Sequence, residues 1–406
     1  MPAAAGNTVM SIDDLIATVL AGNPELAIYE TAIDAARAGQ RQAGRWDNPE
    51  FTLEAGRKRV REVSGAGIAE GMAWAASVAQ PIAFPGRTAL RKAIAERDVE
   101  LAEMGLAHFR LLLRNKVRSL GYALYRTRAT AAATGRVASQ SRELAGAVLQ
   151  RETGGIAPLL EQRILESNTL TLQRRHQAAM RAYEAALIEL NQLRAVPADT
   201  PLYLAEPPLE FPELAPVSGL VNLAWQHAFA AQARRVELEQ QGYRVRLSHH
   251  ERYPGVTITP FVAQETAGDR ETVAGVGISL PLPVWDRNAG NIQAEKARMR
   301  QAEAALQVLR RDLERHVVTH ALRYQSAREA LLSMRPDAVE AFAQAAELAE
   351  RHYQTGAIQI SMYLEAQAAY LDALDALLEL RQEALASLLE LEMLAGPANV
   401  REGDGR

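Results

Sequence analysis

The chain has 406 residues, with 45 Lys+Arg against 49 Asp+Glu, a formal charge of −4 and no Cys. Such near-neutral charge offers no basic field for nucleic acid, and without Cys there is no disulfide framework, cysteine-ligated metal or thiol nucleophile. About 75 alanines with abundant Leu, Glu, Gln and Arg, and only 5% aromatics, favour long helices over sheet.

The N-terminal stretch MPAAAGNTV has no charged n-region leading into an apolar h-region, so no signal peptide is visible. No run of 18 apolar residues follows anywhere, so no transmembrane helix is expected. A membrane β-barrel would escape both tests, because its strands are short and only weakly hydrophobic. A helical hairpin is predicted over Ser11–Gly22 and Pro24 to about Arg45, with Ser11 as N-cap three residues before Asp14. Two strands are predicted next. Phe51 and Leu53 precede a loop at residues 63–67, and Met72, Trp74, Ala76 and Val78 then share one face. A helix from Arg87 to about Arg151 contains no proline; at 1.5 Å per residue, ~65 residues extend to about 100 Å. Gly154 and Gly155 turn the chain into a returning helix, Leu159–Leu193. Six prolines between Ala195 and Pro216 mark a connector without regular helix.

The pattern then repeats. Pro81 and Pro281 stand 200 residues apart, and the offset persists from Leu106 to Leu306, Leu113 to Leu313 and Val117 to Val317. A second helical hairpin runs from Ser218 to about Glu251. Strand-like alternation covers Val256–Thr259; a polar turn follows at Thr266–Glu271, and Val276, Ile278, Leu280 and Leu282 share one face. A second long helix, Arg287 to about Gln354, contains Pro336 as its strong breaker, where a kink or break is expected. Leu306, Leu309, Leu313, Val317 and Tyr324 recur at threes and fours, the seam of a coiled coil. Gly356 turns the chain into the helix Ile358–Leu394. Pro81 with Gly86, and Pro281 with Asp286, mark the strand-to-helix turns. The domains are thus a first repeat (1–196), a proline-rich connector (197–216), a second repeat (217–396) and a tail (397–406) expected to be disordered. A discontinuous β part covers about 49–83 and 254–284.

Four membrane-length strands cannot close a barrel within one chain, and an open sheet leaves unpaired edges that lipid does not tolerate. A helix about 100 Å long cannot bury its seam in a monomer. Both arguments demand an oligomer. The segments Val276–Asn288, Ala294–Arg298, Gln301–Leu306, Tyr353–Ile358 and Tyr363–Gln367 resemble the outer membrane factor (TolC-like) family, over Ser11 to Gly396. Leu280-Pro281-Leu282-Pro283 followed by Asp286-Arg287-Asn288, with Phe84-Pro85-Gly86-Arg87 in the first copy, resembles its heavy-metal cation-efflux (CzcC-like) branch.

The resemblance implies a mainly α fold with a small β part. A tandem-duplicated β-hairpin would be joined to a long antiparallel coiled-coil hairpin, and a homotrimer would form a twelve-stranded β-barrel and a helical periplasmic tunnel. It implies an exit duct in the bacterial outer membrane, extending into the periplasm and contacting outer membrane lipid. Its partners would be a periplasmic adaptor (membrane fusion) protein and an inner-membrane efflux pump of the resistance-nodulation-division type. The alternatives are a multidrug or type I secretion duct and, from another class, a soluble coiled-coil scaffold; the strand faces discriminate these, since a duct needs lipid-compatible outward positions.

No nucleophile elbow, phosphate loop, dinucleotide fingerprint or H-E-x-x-H occurs, so neither enzyme activity nor a cofactor is expected. His316 and His320, at i and i+4, have metal-like spacing, but two ligands without a carboxylate rarely make a site. They are read as packing or interface residues, as are His249 and His250. By the resemblance, Glu365 faces the narrow channel mouth, where threefold symmetry would make a ring of three carboxylates. The family's second acidic position is Met362 here, and Glu161 is the nearest acid in the first copy; the plain alternative for Glu365 is a solvated helix surface. The tip turns Gly154, Gly155 and Gly356 would dock the adaptor. Trp74 and Trp285 read either as interfacial aromatics or as core.

Overall fold

The computed structural model describes residues 9–61, 68–150 and 156–400. Among these, the chain order is α1 (Ile12–Gly22), α2 (Glu25–Ala43), β1 (Glu50–Arg61), β2 (Ile68–Ile82), α3 (Arg87–Gln150), α4 (Ile156–Leu193), α5 (Val217–His227), α6 (Phe229–Glu251), β3 (Val256–Ala267), β4 (Asp269–Ser279), α7 (Ala289–Ser333), α8 (Ala338–Gln354) and α9 (Ile360–Ala395). The duplication is legible in this order: two helices, two strands and a long antiparallel helical hairpin, twice over. The copies differ at one place. The first outer helix, α3, is unbroken, whereas its counterpart is split into α7 and α8 around Pro336, whose ring and missing amide end the helix.

The chain divides into two compact units. One comprises Met1–Ile28, Leu106–Phe229 and Arg310–Arg406 and is helical. Its helix α1 opens as the sequence predicts, with the Ser11 side chain accepting the Asp14 amide at 3.1 Å. Val317, Ala321 and Tyr324 of α7 pack with Leu220 and Ala224 of α5 and with Leu388 and Leu391 of α9. The repeat-related pairs Leu113/Leu313 and Val117/Val317 are all buried, so the two coiled-coil seams bury equivalent positions. Glu392 is buried beside Arg118, whose guanidinium donates to it at 2.9 Å, and Asn115 donates to the Leu389 carbonyl at 3.1 Å.

One expectation is extended and one changes in this unit. The proline-rich connector has no helix, but it is no free linker. Leu202, Leu204 and Leu214 are buried, Leu204 bridges in parallel to Met10, and the Pro212 carbonyl accepts the Tyr324 hydroxyl at 2.7 Å. Prolines prevent regular structure, yet the leucines between them retain their drive to leave water. The tail is likewise ordered as far as it is described. Val400 is fully buried and its carbonyl accepts the Ala215 amide at 3.1 Å, so the expected disorder does not hold for 397–400; residues 401–406 lie outside the described residues.

The second unit comprises Tyr29–Gly105 and Ala230–Leu309 and holds the sheet. All neighbours are antiparallel, in the order β1-β2-β3-β4. The predicted polar turn at Thr266–Glu271 is narrower than expected. The strands pair as far as Ala267 opposite Asp269, and Gly268 alone, at φ +95°, reverses the chain. Gly71 is forced by a close approach: a Cβ there would lie 1.3 Å from the Thr266 carbonyl oxygen. Pro81 is not in a turn. It lies inside β2 opposite Thr257, and the turn into α3 is made by Phe84–Gly86, with Gly86 at φ +90° under the His250 ring.

Candidate channel surfaces and the comparisons

Strand register decides which side chains share a face, because residues directly opposite one another point the same way. Phe51 lies opposite Val78, Leu53 opposite Ala76 and Ala55 opposite Trp74; Ile258 lies opposite Ile278 and Pro260 opposite Val276. These positions form one apolar face, and it is exposed: Phe51 is 66% accessible, Leu53 64% and Ile278 74%. The opposite face carries Thr52, Gly56, Ala73, Ala75, Ser77, Thr257, Thr259, Gly275 and Gly277, small or polar apart from Val60, Pro81, Phe261 and Val273. No helix of the described residues covers the apolar face with a buried core, since all of these large side chains stay accessible. β1 pairs only with β2 and β4 only with β3 among the described residues, so both outer strands keep a free edge.

The strand-to-helix turns are held by specific contacts. The Arg87 guanidinium donates to the carbonyls of His250 and Tyr253, and Phe84 stacks on Tyr253 at 5.0 Å. In the second copy the Asp286 carboxylate accepts the Asn288 amide at 2.8 Å, while Asn288 adopts φ 58° and its side-chain amide donates to the Ser248 carbonyl at 2.8 Å. Asn tolerates this left-handed conformation better than most residues. Pro281 sits in the irregular stretch between β4 and α7, and Trp285 is 96% exposed. His250 is a packing residue of the first junction, its ring edge-on to Phe84.

At the helical tip, Gly356 takes φ +75° and closes α8 onto α9. Tyr353 before the turn and Tyr363 after it are buried, and the Gln367 amide donates to the Tyr363 hydroxyl at 2.5 Å. Burial pushes the Tyr363 phenol well above its usual range. Tyr353 donates to the Glu161 carboxylate of α4 at 3.3 Å. Met362 and Glu365, three residues apart on α9, are both exposed. Glu350 of α8 is raised above the ordinary carboxylate range by burial, and by the neighbouring charges of Glu143 and Glu347. Gly154 and Gly155 lie outside the described residues. The sequence assigns no role to Tyr353, Tyr363 or Asn288; their spacing about a glycine or aspartate turn is the signal that marks them.

His316 and His320 lie edge-on at 6.5 Å, but Arg315 donates to the His316 Nε2 at 2.8 Å, which occupies that nitrogen. His320 borders a cavity of about 710 Å³ with Asn115, Lys116, Arg323 and Glu390, and burial lowers its pKa. Among the described residues no group of three or more His, Cys, Asp or Glu is placed to hold a metal ion.

Residues 220–397 match the family described as outer membrane efflux protein. The chain is 25% identical over 309 residues to the cobalt-zinc-cadmium resistance protein CzcC of Cupriavidus metallidurans, spanning 73% of this chain and 68% of CzcC. Among solved structures, a membrane protein from Pseudomonas aeruginosa is similar with a TM-score of 0.76 at 18% identity, over 96% of this chain and 91% of that one. The outer membrane protein VceC from Vibrio cholerae is similar with a TM-score of 0.71 at 18% identity, over 95% of this chain and 96% of that one. CusC, whose structures concern transmembrane channel formation, has a TM-score of 0.74 at 14% identity, over 95% of this chain and 92% of CusC. The second repeat thus matches the outer membrane efflux protein family, and nearly the whole chain shares the fold of these outer membrane proteins.

Proposed function

We propose that this protein is the outer membrane exit duct of a tripartite efflux pump for heavy-metal cations, acting as a homotrimer. A periplasmic adaptor and an inner-membrane pump of the resistance-nodulation-division type would complete the assembly and supply the energy. The observation that carries this reading is the four-stranded sheet, with an exposed apolar face and two free edges. In lipid every backbone polar group needs a partner, and edge-to-edge closure of three such sheets supplies one for each edge. The other face, small and polar, suits a water-filled lumen. The similarity to CzcC supports cations as the cargo.

The chain has no cysteine, so introduced thiols report without background. One cysteine along β1 paired with one along β4, scanned over register, should yield disulfide-linked trimers in membranes for one register and not for its neighbours. Monomers at every register would overturn the trimer. For cargo, cells deprived of their own exit duct and given this chain with its partner proteins should gain tolerance to cobalt, zinc or cadmium. Gained tolerance to apolar drugs alone would favour a multidrug duct.

A further inference from the structure

The sheet sorts its charges by face. On the apolar face β1 reads Phe51, Leu53, Ala55 and then, toward the hairpin end, Arg57, Arg59 and Arg61. Arg270 of β4, opposite Thr266, shares that face and that end. Glu70, which pairs with Arg59, is the one carboxylate on this face among the described strand residues. The other face carries Glu50, Glu54, Glu265, Asp269 and Glu271, with Lys58 as its single base, ion-paired to Glu265. Arg57 and Arg61 are exposed and have no ion-pair partner among the described residues.

Alternation sets successive arginines of β1 ~7 Å apart in one row. Along β1 the row begins where that strand's apolar residues on this face end, while Met72 and Ile68 of β2 lie opposite Arg57 and Arg61. Trp74, level with Ala55, donates its indole N–H to Gln264 at 3.1 Å, the amphipathic arrangement of an interfacial tryptophan, and Arg57 stands one step beyond. Guanidinium groups lined up at the margin of a low-dielectric surface repel one another unless anions lie among them. Their planar forks match phosphate bidentately, and their stems can lie along apolar surface.

We propose that Arg57, Arg59 and Arg61, with Arg270 at the other edge, bind the headgroup phosphates of a phosphorylated lipid at the hairpin end of the sheet. The lipid's acyl chains would lie along Phe51, Leu53 and Val78, which are exposed on the same face immediately below. A ligand that is anionic at one end and apolar at the other fits this continuity, whereas free phosphate uses only half of it. The proposal rests on the reading of the apolar face as lipid-facing.

The test is native mass spectrometry of the detergent-extracted protein titrated with diphosphorylated lipid A, with its dephosphorylated form, and with inorganic phosphate as competitor. The parent should prefer the diphosphorylated lipid by roughly tenfold or more, as charge-assisted bidentate contacts imply. Arg57→Gln/Arg61→Gln should lose that preference and Lys58→Gln, on the opposite face, should keep it. Absence of preference in the parent, an unchanged preference in the double variant, or displacement by inorganic phosphate at equal affinity would overturn the lipid site. If the protein extracts only with detergent yet shows no preference, the inference fails alone. If it is water-soluble without detergent, the lipid-facing reading fails and takes the inference with it.

Discussion

Tyr353 and Tyr363 stack across the Gly356 turn with ring centroids 5.4 Å apart and planes 11° from parallel. The pair fastens the end of α8 to the start of α9, and Leu144 of α3 and Leu165 of α4 pack in the same cluster. The tip is therefore held by packing and not by the turn alone. Tyr363→Ala should destabilise it by about 3–5 kcal/mol, the usual cost of emptying a buried aromatic site. Tyr363→Phe, which only removes the acceptor of Gln367, should cost about 1 kcal/mol. Hydrogen exchange at the α8–α9 turn measures both, and equal protection in the Ala variant and the parent would contradict the packing argument.

Glu350 supplies a pH dependence with a definite sign. Its pKa is raised in the folded tip, first by burial and then by Glu143 and Glu347, against an ordinary value of 4.5. The unfolded state therefore loses its proton first as pH rises, and tip stability falls through the window above 4.5 until the folded group has also ionised. Glu350→Gln should raise tip stability at neutral pH, with the gain vanishing below the ordinary glutamate range. Local exchange rates against pH check this; a gain that is constant with pH would assign it to something other than ionisation.

Ile278 lies on the exposed apolar face opposite Ile258. Ile278→Arg should cost ~2–4 kcal/mol if the position sits near mid-membrane, and should reduce the membrane-inserted oligomer. The matched change on the small, polar face, Thr259→Arg, should be tolerated better in insertion because that face would meet water. Fractionation and native mass of the extracted protein give the answer. Equal insertion of both variants would mean that the faces are not distinguished by lipid.

Glu365 is exposed at the start of α9, beside Met362. If a trimer brings three copies around one axis, Glu365→Gln should leave folding intact and reduce cation preference in single-channel conductance, with the difference shrinking as salt rises. Glu161→Gln should do less to permeation, because Glu161 already accepts the Tyr353 hydroxyl at 3.3 Å. Salt-independent, equal conductance in Glu365→Gln and the parent would place the residue off the permeation path.

What the sequence determined by itself was the periodic part of the molecule. The repeat, the long proline-free helix, the break at Pro336 and the strand alternation all follow from local spacing, because helix and strand periods are written residue by residue. The Leu113/Leu313 and Val117/Val317 seams were legible for the same reason. The tertiary structure decided matters that depend on which distant residues meet. Pro81 went into β2 because Thr257 pairs opposite it, and the connector packed because Leu204 and Leu214 found buried surroundings despite their prolines. The start of the tail was anchored by a hydrogen bond from the Ala215 amide to the Val400 carbonyl, 185 positions apart in the chain (400 − 215). The faces of the sheet also needed the cross-strand register. Alternation within β1 separates Arg57, Arg59 and Arg61 from Lys58, but only the pairing with β2, β3 and β4 shows that the arginines share their side with Phe51, Trp74 and Ile278, and Lys58 its side with Glu265.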